Sequence, residues 1–142
     1  MKIEPIDVAV SDELIKAIVD FHGHLGPFII LGLKAGLLAN AILGKDYIKT
    51  TAIVMADSSP PSSCFVDGIQ FVTGCTMGKG NIKLRKSKHV SVTFAKDDKK
   101  LRLKLKKRIL NSIKDVASEE ESQKASLDLL KKPLSELFIV AA

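Results

Sequence analysis

The chain has 142 residues, enough for one domain with its own hydrophobic core, so disulfide staples are not required. Hydrophobic residues make up 46% and charged residues 27% of the chain, a composition that excludes an intrinsically disordered protein. The net charge of +6 leaves nucleic acid open as a partner, but the chain has no Trp and one Tyr, which argues against a platform for stacking bases.

The first ten residues do not resemble a secretory signal. They contain no apolar run of the required length, and they include Glu4 and Asp7. We therefore expect a cytoplasmic protein in which both cysteines, Cys64 and Cys75, are reduced.

Two helices separated by a turn are predicted for the first third of the chain. Apolar residues at helical spacing indicate a helix from Ser11 to about Phe21, followed by the turn-rich segment HGHLGP at 22–27. The next helix should begin at Pro27 and end before Gly44.

The second helix lies in an apolar run, residues 25–43, which is long enough to cross a bilayer. Lys34 near the middle of the run would be costly in lipid, so we interpret the segment as a buried helix instead. Gly32 and Gly36 lie one turn apart and permit a close neighbour. Because the helix is apolar nearly all round, it should be central or covered by a partner subunit.

The remaining elements predict the fold class. Residues 50–56 are typical of a strand, and 64–73 of a helix that Gly74 closes. Apolar and basic or polar residues then alternate at 82–85, 90–94 and 101–105, which predicts an antiparallel meander. Helices over 106–116 and 119–131 and a closing strand at 137–141 complete an α+β fold, with helices packed on a mostly antiparallel sheet in one compact domain, residues 1–142.

The HGH segment is the first candidate site. Two imidazoles, His22 and His24, lie two residues apart in a turn and can converge on one metal ion, since Gly23 permits a backbone kink. The alternative is that one histidine caps the preceding helix and the other is exposed to solvent.

Cys64, Asp67 and Gln70 form the second candidate site because they share one face of the predicted helix. A thiol at a helix N-terminus has a lowered pKa, which favours metal ligation or nucleophilic attack. The alternative is a small buried residue. Cys75 follows eleven residues later, roughly 16 Å away along an unbroken helix. Either the helix bends at Gly74, or the cysteines serve different sites, or Cys75 meets the site of another subunit.

The third candidate is the glycine-rich segment 74–81 (GCTMGKGN). Free backbone N–H groups, the Thr76 hydroxyl and the Lys79 ammonium resemble a cradle for an anion. The segment is not a P-loop, because Lys79 is not followed by Ser or Thr. The alternative is a tight turn that leads into a strand.

Together, HGHLGP at 22–27 and CFVDGIQFVTGCTMGKGN at 64–81 resemble the core domain of the formylmethanofuran dehydrogenase E-subunit family. The family pattern is HGH-x-C-P-G, then C-x-x-D-x-I/V-Q with GCT-x-GKGN, and the looser resemblance covers nearly the whole chain. It implies an α+β core, a homodimer and a metal-binding or active-site pocket. The residues that match the pattern are His22, His24, Cys64, Asp67, Gln70, Cys75, Thr76 and Lys79.

Two departures from the family pattern matter for function. Gly26 stands where the pattern has a cysteine, so one thiolate is missing from any metal site. The resemblance is also to the core domain alone, without the cysteine-rich zinc finger found at the C-terminus of many relatives.

The main functional prediction is a metal-binding accessory subunit or a small enzyme of unknown substrate. Imidazole and thiolate suit zinc, and nickel or iron less well. Cys64 and Asp67 are the catalytic candidates, with Asp67 as the base if a metal-bound water reacts. The resemblance further implies a molybdenum or tungsten enzyme as partner. The predicted metal ligands are His22, His24, Cys64 and Cys75.

Three other functions remain open. A metal-free protein could bind an anion or cofactor through Gln70, Thr76 and Lys79. A nucleic-acid module could use the basic strands, since residues 79–108 contain thirteen Lys or Arg and two Asp, although a solvated sheet face is the favoured interpretation. A degenerate family member could keep the fold and bind no metal.

Overall fold

The computed structural model describes all 142 residues, which form six helices and six strands. The elements in chain order are β1 (Lys2–Ile3), α1 (Asp12–His22), α2 (Pro27–Leu43), β2 (Thr51–Ala56), α3 (Cys64–Thr73), β3 (Ile82–Lys86), β4 (Ser91–Lys96), β5 (Lys99–Leu105), α4 (Lys107–Ile113), α5 (Glu119–Lys131), α6 (Leu134–Leu137) and β6 (Phe138–Ala141).

All six strands belong to one sheet with the order β1-β6-β5-β4-β2-β3. Each neighbouring pair is antiparallel except β2 and β3, which run parallel. Parallel strands need a crossover connection, and α3 supplies it. The predicted class, an α+β domain with a mostly antiparallel sheet, is confirmed.

The predicted meander is wrong for its first strand. β4 and β5 do form a hairpin, but β3 lies at the edge of the sheet beside β2, where Ile82 is opposite Ala52. The alternating pattern assigns each side chain of β3 to a face of the sheet. It carries no information about which strand is the neighbour, because that depends on where α3 returns the chain.

Helix α2 is the centre of the core. It packs chiefly on α3, with α5 and strands β4 and β5 around it, and even Lys34 is only 1% exposed. A Cβ on Gly32 would collide with the backbone carbonyl of Phe65, so the two helices meet backbone to backbone there. Of the two predictions for this apolar helix, the central position is therefore correct, and the chain itself covers it.

One face of the sheet packs against this helical layer. Side chains that point into the core, such as Val54, Val92 and Leu103, are fully buried, whereas their neighbours on the other face are largely exposed or half-buried. The exposed face carries Lys83, Arg85 and other basic side chains of β3 and β5.

Side-chain capping sets the start of two helices. Ser11 and Ser118 accept hydrogen bonds from the third residue of α1 and α5 through their side chains. α4 is shorter than predicted, and α6 and β1 were not predicted because elements of four and two residues carry too little periodicity. None of the helices combines the length and apolar character needed to span a bilayer.

Candidate functional site

The HGH turn places two imidazoles side by side. α1 ends at His22, and Gly23 follows with a left-handed φ of 101°, its N–H donating to the carbonyl of Val19 at 2.7 Å. A residue with a side chain is strained in this conformation, so glycine allows the chain to turn at once. The rings of His22 and His24 consequently lie with their centroids 4.6 Å apart.

An aspartate from α3 orients the first of these rings. Nδ1 of His22 donates to Oδ2 of Asp67 at 2.7 Å, and the His22 side chain is 7% exposed. Since a carboxylate only accepts, Nδ1 carries the proton of this hydrogen bond, and Nε2 is the ring nitrogen left for another partner. Nε2 is buried and has no hydrogen-bond partner in the protein.

The same ring lines a small cavity of about 60 Å³, here called the histidine cavity. Its walls come from the HGH turn, the start of α2, the start of α3, and the helical segments α4 and α5. The lining residues are His22, His24, Gly26, Pro27, Phe28, Ile29, Pro61, Cys64, Ile113, Val116 and Ser122. A space of this size holds an ion with a few waters.

Cys64, the first residue of α3, contributes its thiol to the histidine cavity and is half-buried. Burial raises the pKa of the Cys64 thiol, and the carboxylate of Asp67 raises it further. The predicted lowering of this pKa by the helix N-terminus is therefore wrong, because desolvation and a nearby negative charge both raise it. The thiol is neutral near pH 7 unless a cation binds beside it.

Cys75 lies elsewhere. It follows Gly74 beyond the far end of α3, is fully buried, and its Sγ donates to the carbonyl of Thr50 at 3.4 Å. Burial raises the pKa of its thiol. The structure thus does not bring Cys75 together with Cys64, and burial inside the chain also keeps Cys75 from the site of another subunit. Of the three options for the two cysteines, the structure agrees with the second, in which the two residues do not share a site.

The glycine-rich segment is a tight turn whose backbone N–H groups are mostly hydrogen-bonded within the protein. The backbone N–H groups of Thr76 and Met77 donate to the side chains of Asn81 and Gln70, at 2.8 and 2.9 Å. That of Lys79 donates to the Thr76 hydroxyl, and that of Gly80 to backbone carbonyls of the turn. An anion cradle needs free donors, and most donors here are already used. The structure therefore favours the tight turn over the cradle predicted from Thr76, Lys79 and free backbone N–H groups. The amide oxygen of Gln70, the third residue predicted to bind a ligand, already accepts from Met77.

Gly26 is the position where the family pattern has a cysteine. A Cβ at Gly26 would lie 3.4 Å from Nε2 of His24 and 3.8 Å from Oγ of Ser122. Its φ of −144° and ψ of 161° suit any residue. A side chain at this position would therefore enter the histidine cavity, and the glycine leaves that space to the neighbouring imidazole.

The donor set fits a metal ion only in part. No three His, Cys, Asp or Glu side chains lie close enough together to hold one ion. Zinc sites use three or four protein ligands, and His22 and Cys64 offer two here. His24 is exposed, so a rotation of its side chain could add a third. Asp67 would not bind the ion itself. It bonds to the ring of His22 and would orient that ring as a metal ligand.

Part of this site carries no signal in the sequence. Ile113, Val116 and Ser122 wall the histidine cavity from α4, the segment after it and α5, about 90 to 100 residues from the HGH turn. Ser122 also donates from its hydroxyl to the carbonyl of Leu25 at 3.4 Å. Only the packing of α5 beside α2 places them there.

Fold and site together define an α+β domain in which an aspartate-oriented histidine, a second histidine and a thiol share one cavity. A family model described as "FmdE, Molybdenum formylmethanofuran dehydrogenase operon" matches residues 21–139. The chain belongs to the FmdE family, as its sequence motifs predicted.

One curated relative adds a more distant similarity. The "Probable S-adenosyl-L-methionine-binding protein" of Archaeoglobus fulgidus is 32% identical over 65 residues, 44% of this chain. The match spans 18% of that relative.

Proposed function

We propose that this FmdE-family protein binds one zinc ion in the histidine cavity and acts as an accessory subunit of a molybdenum or tungsten enzyme. The observation that carries the metal proposal is Nε2 of His22, a buried nitrogen without a hydrogen-bond partner. Leaving such an atom unsatisfied costs about 1–3 kcal/mol, and a metal ion removes that cost.

Each residue of the cavity has a distinct part in this proposal. His22 would bind through Nε2 while Asp67 holds its Nδ1 proton and the orientation of the ring. Cys64 would bind as the thiolate and His24 as a third ligand. A bound zinc ion would supply a Lewis acid and a water of lowered pKa.

The raised pKa of the Cys64 thiol has a consequence for metal affinity. The thiol must lose its proton to bind, so zinc and protons compete for the same sulfur. Affinity should rise with pH until the thiol of the metal-free protein is ionised.

Elemental analysis of untagged protein by plasma mass spectrometry tests the proposal. We expect about one zinc ion per chain in the native protein and a loss of zinc in Cys64→Ala. Cys75→Ala is the matched control, because its thiol lies outside the cavity and zinc should be retained. A folded native protein without transition metal, or equal zinc loss in both variants, would contradict metal binding at Cys64.

The partner is proposed from the family description, which refers to the operon of molybdenum formylmethanofuran dehydrogenase. Co-purification of the untagged chain with such an enzyme from a host that encodes both is the expected result.

We propose a homodimer on the family resemblance alone, and light scattering should then give twice the chain mass of 15.4 kDa. A mass of one chain at high concentration would contradict the dimer.

We do not propose that the histidine cavity binds S-adenosyl-L-methionine, the ligand named for the distant relative. The histidine cavity, at about 60 Å³, is far smaller than the roughly 300 Å³ or more of pockets that hold nucleoside-sized ligands.

A further inference from the structure

A second cavity, separate from the histidine cavity, is lined by positive charge. It is formed by the β3–β4 connection, the end of β5 and α4, and its volume is about 420 Å³. We call it the basic cavity. Its six basic lining residues are Lys88, His89, Lys104, Lys106, Lys107 and Lys114.

The five lysines of the basic cavity have no ionic partner in the protein. No Asp or Glu lines the basic cavity, and the two ion pairs of the chain, His22–Asp67 and Lys132–Asp128, lie outside it. Lys106 is held in place by donating from Nζ to the carbonyl of Ser135 at 2.7 Å. Like charges around one concave surface repel and create a positive potential that attracts anions.

The floor of the basic cavity is apolar. Val90, Leu105, Leu110 and Ile139 line it together with the amide of Asn111, and Val90 and Leu105 are buried. The volume falls in the range of pockets for small organic ligands, roughly 300 to 1,000 Å³. An apolar floor under ammonium groups suits a molecule with an organic part and several negative charges.

We propose that the basic cavity binds a small organic molecule that carries two or more phosphate groups. Lysine ammonium groups bind phosphate oxygens as point charges, and several of them around one site favour a ligand with more than one phosphate. No Phe, Tyr or Trp lines the cavity, so stacking of exposed bases, the usual means of holding single-stranded nucleic acid, is missing. This site shares no residue with the glycine-rich segment or with the histidine cavity.

Calorimetric titration of the whole chain with adenosine diphosphate tests the proposal. Lys107→Gln combined with Lys114→Gln should weaken binding by about a hundredfold, since each charge-assisted hydrogen bond contributes about tenfold. The matched control is Lys83→Gln combined with Arg85→Gln, which removes the same charge from exposed positions of β3 outside the basic cavity. The control should bind within about twofold of the native protein.

A second pair of substitutions, Lys88→Gln with His89→Gln in the β3–β4 connection, should also weaken binding. Because these residues lie outside α4, this pair controls for a local effect of the first pair on that helix. The proposal is overturned if adenosine diphosphate does not bind the native protein, or if the control loses as much affinity as the cavity variants. It is also overturned if a 20-nucleotide single-stranded DNA binds more tightly than the diphosphate and loses affinity equally in all variants. None of the substituted residues lines the histidine cavity, so the result for the diphosphate is independent of whether the histidine cavity binds zinc.

Discussion

The ring of His22 connects two parts of the site that the sequence separates by 45 residues. Its Nδ1 hydrogen bond to Asp67 fixes which nitrogen is free, and that nitrogen is buried without a partner. The hydrogen bond engages Oδ2 of Asp67, and the carboxylate also acts on its neighbours through its charge. Its predicted role as a base for a metal-bound water stays a prediction. One neighbour that responds to this charge is the thiol of Cys64.

The negative charge of Asp67 should affect the pH dependence of Cys64 alkylation. In Asp67→Asn, the pH midpoint for reaction with iodoacetamide should fall, because the second cause of the raised thiol pKa is removed while burial remains. The rate is measured by mass spectrometry in EDTA, with Cys75→Ala in both proteins so that only one thiol can react. An unchanged or higher midpoint would show that Asp67 does not act on this sulfur.

Gly26 offers a test by gain of function. Gly26→Cys should raise zinc affinity by about tenfold or more, since a sulfur beside His24 would add a ligand to an incomplete set. Gly26→Ser has nearly the same size and is a poor zinc ligand, so it should match the native affinity. Competition with a chromophoric chelator measures both. Equal affinity in Gly26→Cys and Gly26→Ser would mean that position 26 does not face the metal.

Among the elements, α2 and α5 are joined by a buried lysine. Nζ of Lys34 donates to the carbonyls of Leu130 and Lys132, at 3.0 and 2.6 Å, at the end of α5. A cation there stabilises the negative end of a helix and satisfies carbonyls that have no partner within it. Burial lowers the pKa of Lys34, and the charge of Asp7 opposes this in part.

Lys34→Met should lower the free energy of unfolding by about 2 kcal/mol at pH 7, because both carbonyls lose their donor. Between the lowered pKa of Lys34 and 10.5, the unfolded chain binds more protons at this residue than the folded chain does. The stability contributed by Lys34 therefore rises with pH through that window. Urea unfolding should show a larger difference between native and variant at pH 10 than at pH 7. A constant difference would contradict the lowered pKa.

The contact between α2 and α3 depends on glycine. Gly32→Ala should destabilise the protein by about 1–3 kcal/mol, because the added methyl meets the carbonyl of Phe65 and helix backbones cannot move aside without disturbing the core. Gly78→Ala is the control, since nothing lies within 4 Å of a Cβ there. Thermal unfolding of the two variants tests the prediction, and equal melting temperatures would contradict it.

Across the whole molecule, the sequence predicts what local signals determine. The bounds of α2 and α5 agree with prediction because Pro27, Ser118 and the helix-stopping glycine after Leu43 are local features. The parallel pairing of β3 is not predicted because it depends on the path of α3. The HGH turn and Cys64 are predicted as site residues because local motifs mark them. Ile113, Val116 and Ser122 in the far wall of the histidine cavity are not predicted, because long-range packing places them there.

The sequence also shows only part of how the positive charge is distributed over the molecule. The excess of Lys and Arg after residue 79 is plain in the sequence, where it suggests one basic face. Folding divides it between β3 at the sheet edge and the basic cavity, where residues from the β3–β4 connection, β5 and α4 meet. A concave cluster and a flat, solvated face have different ligands, and only the fold distinguishes them.

X-ray absorption at the zinc edge of the metal-loaded protein addresses metal binding by His22 and Cys64 most directly. One sulfur at about 2.3 Å with imidazole nitrogen at about 2.0–2.1 Å is the expected coordination, and the sulfur should disappear in Cys64→Ala. A shell of nitrogen and oxygen alone in the native protein would show that the thiol of Cys64 does not bind the ion.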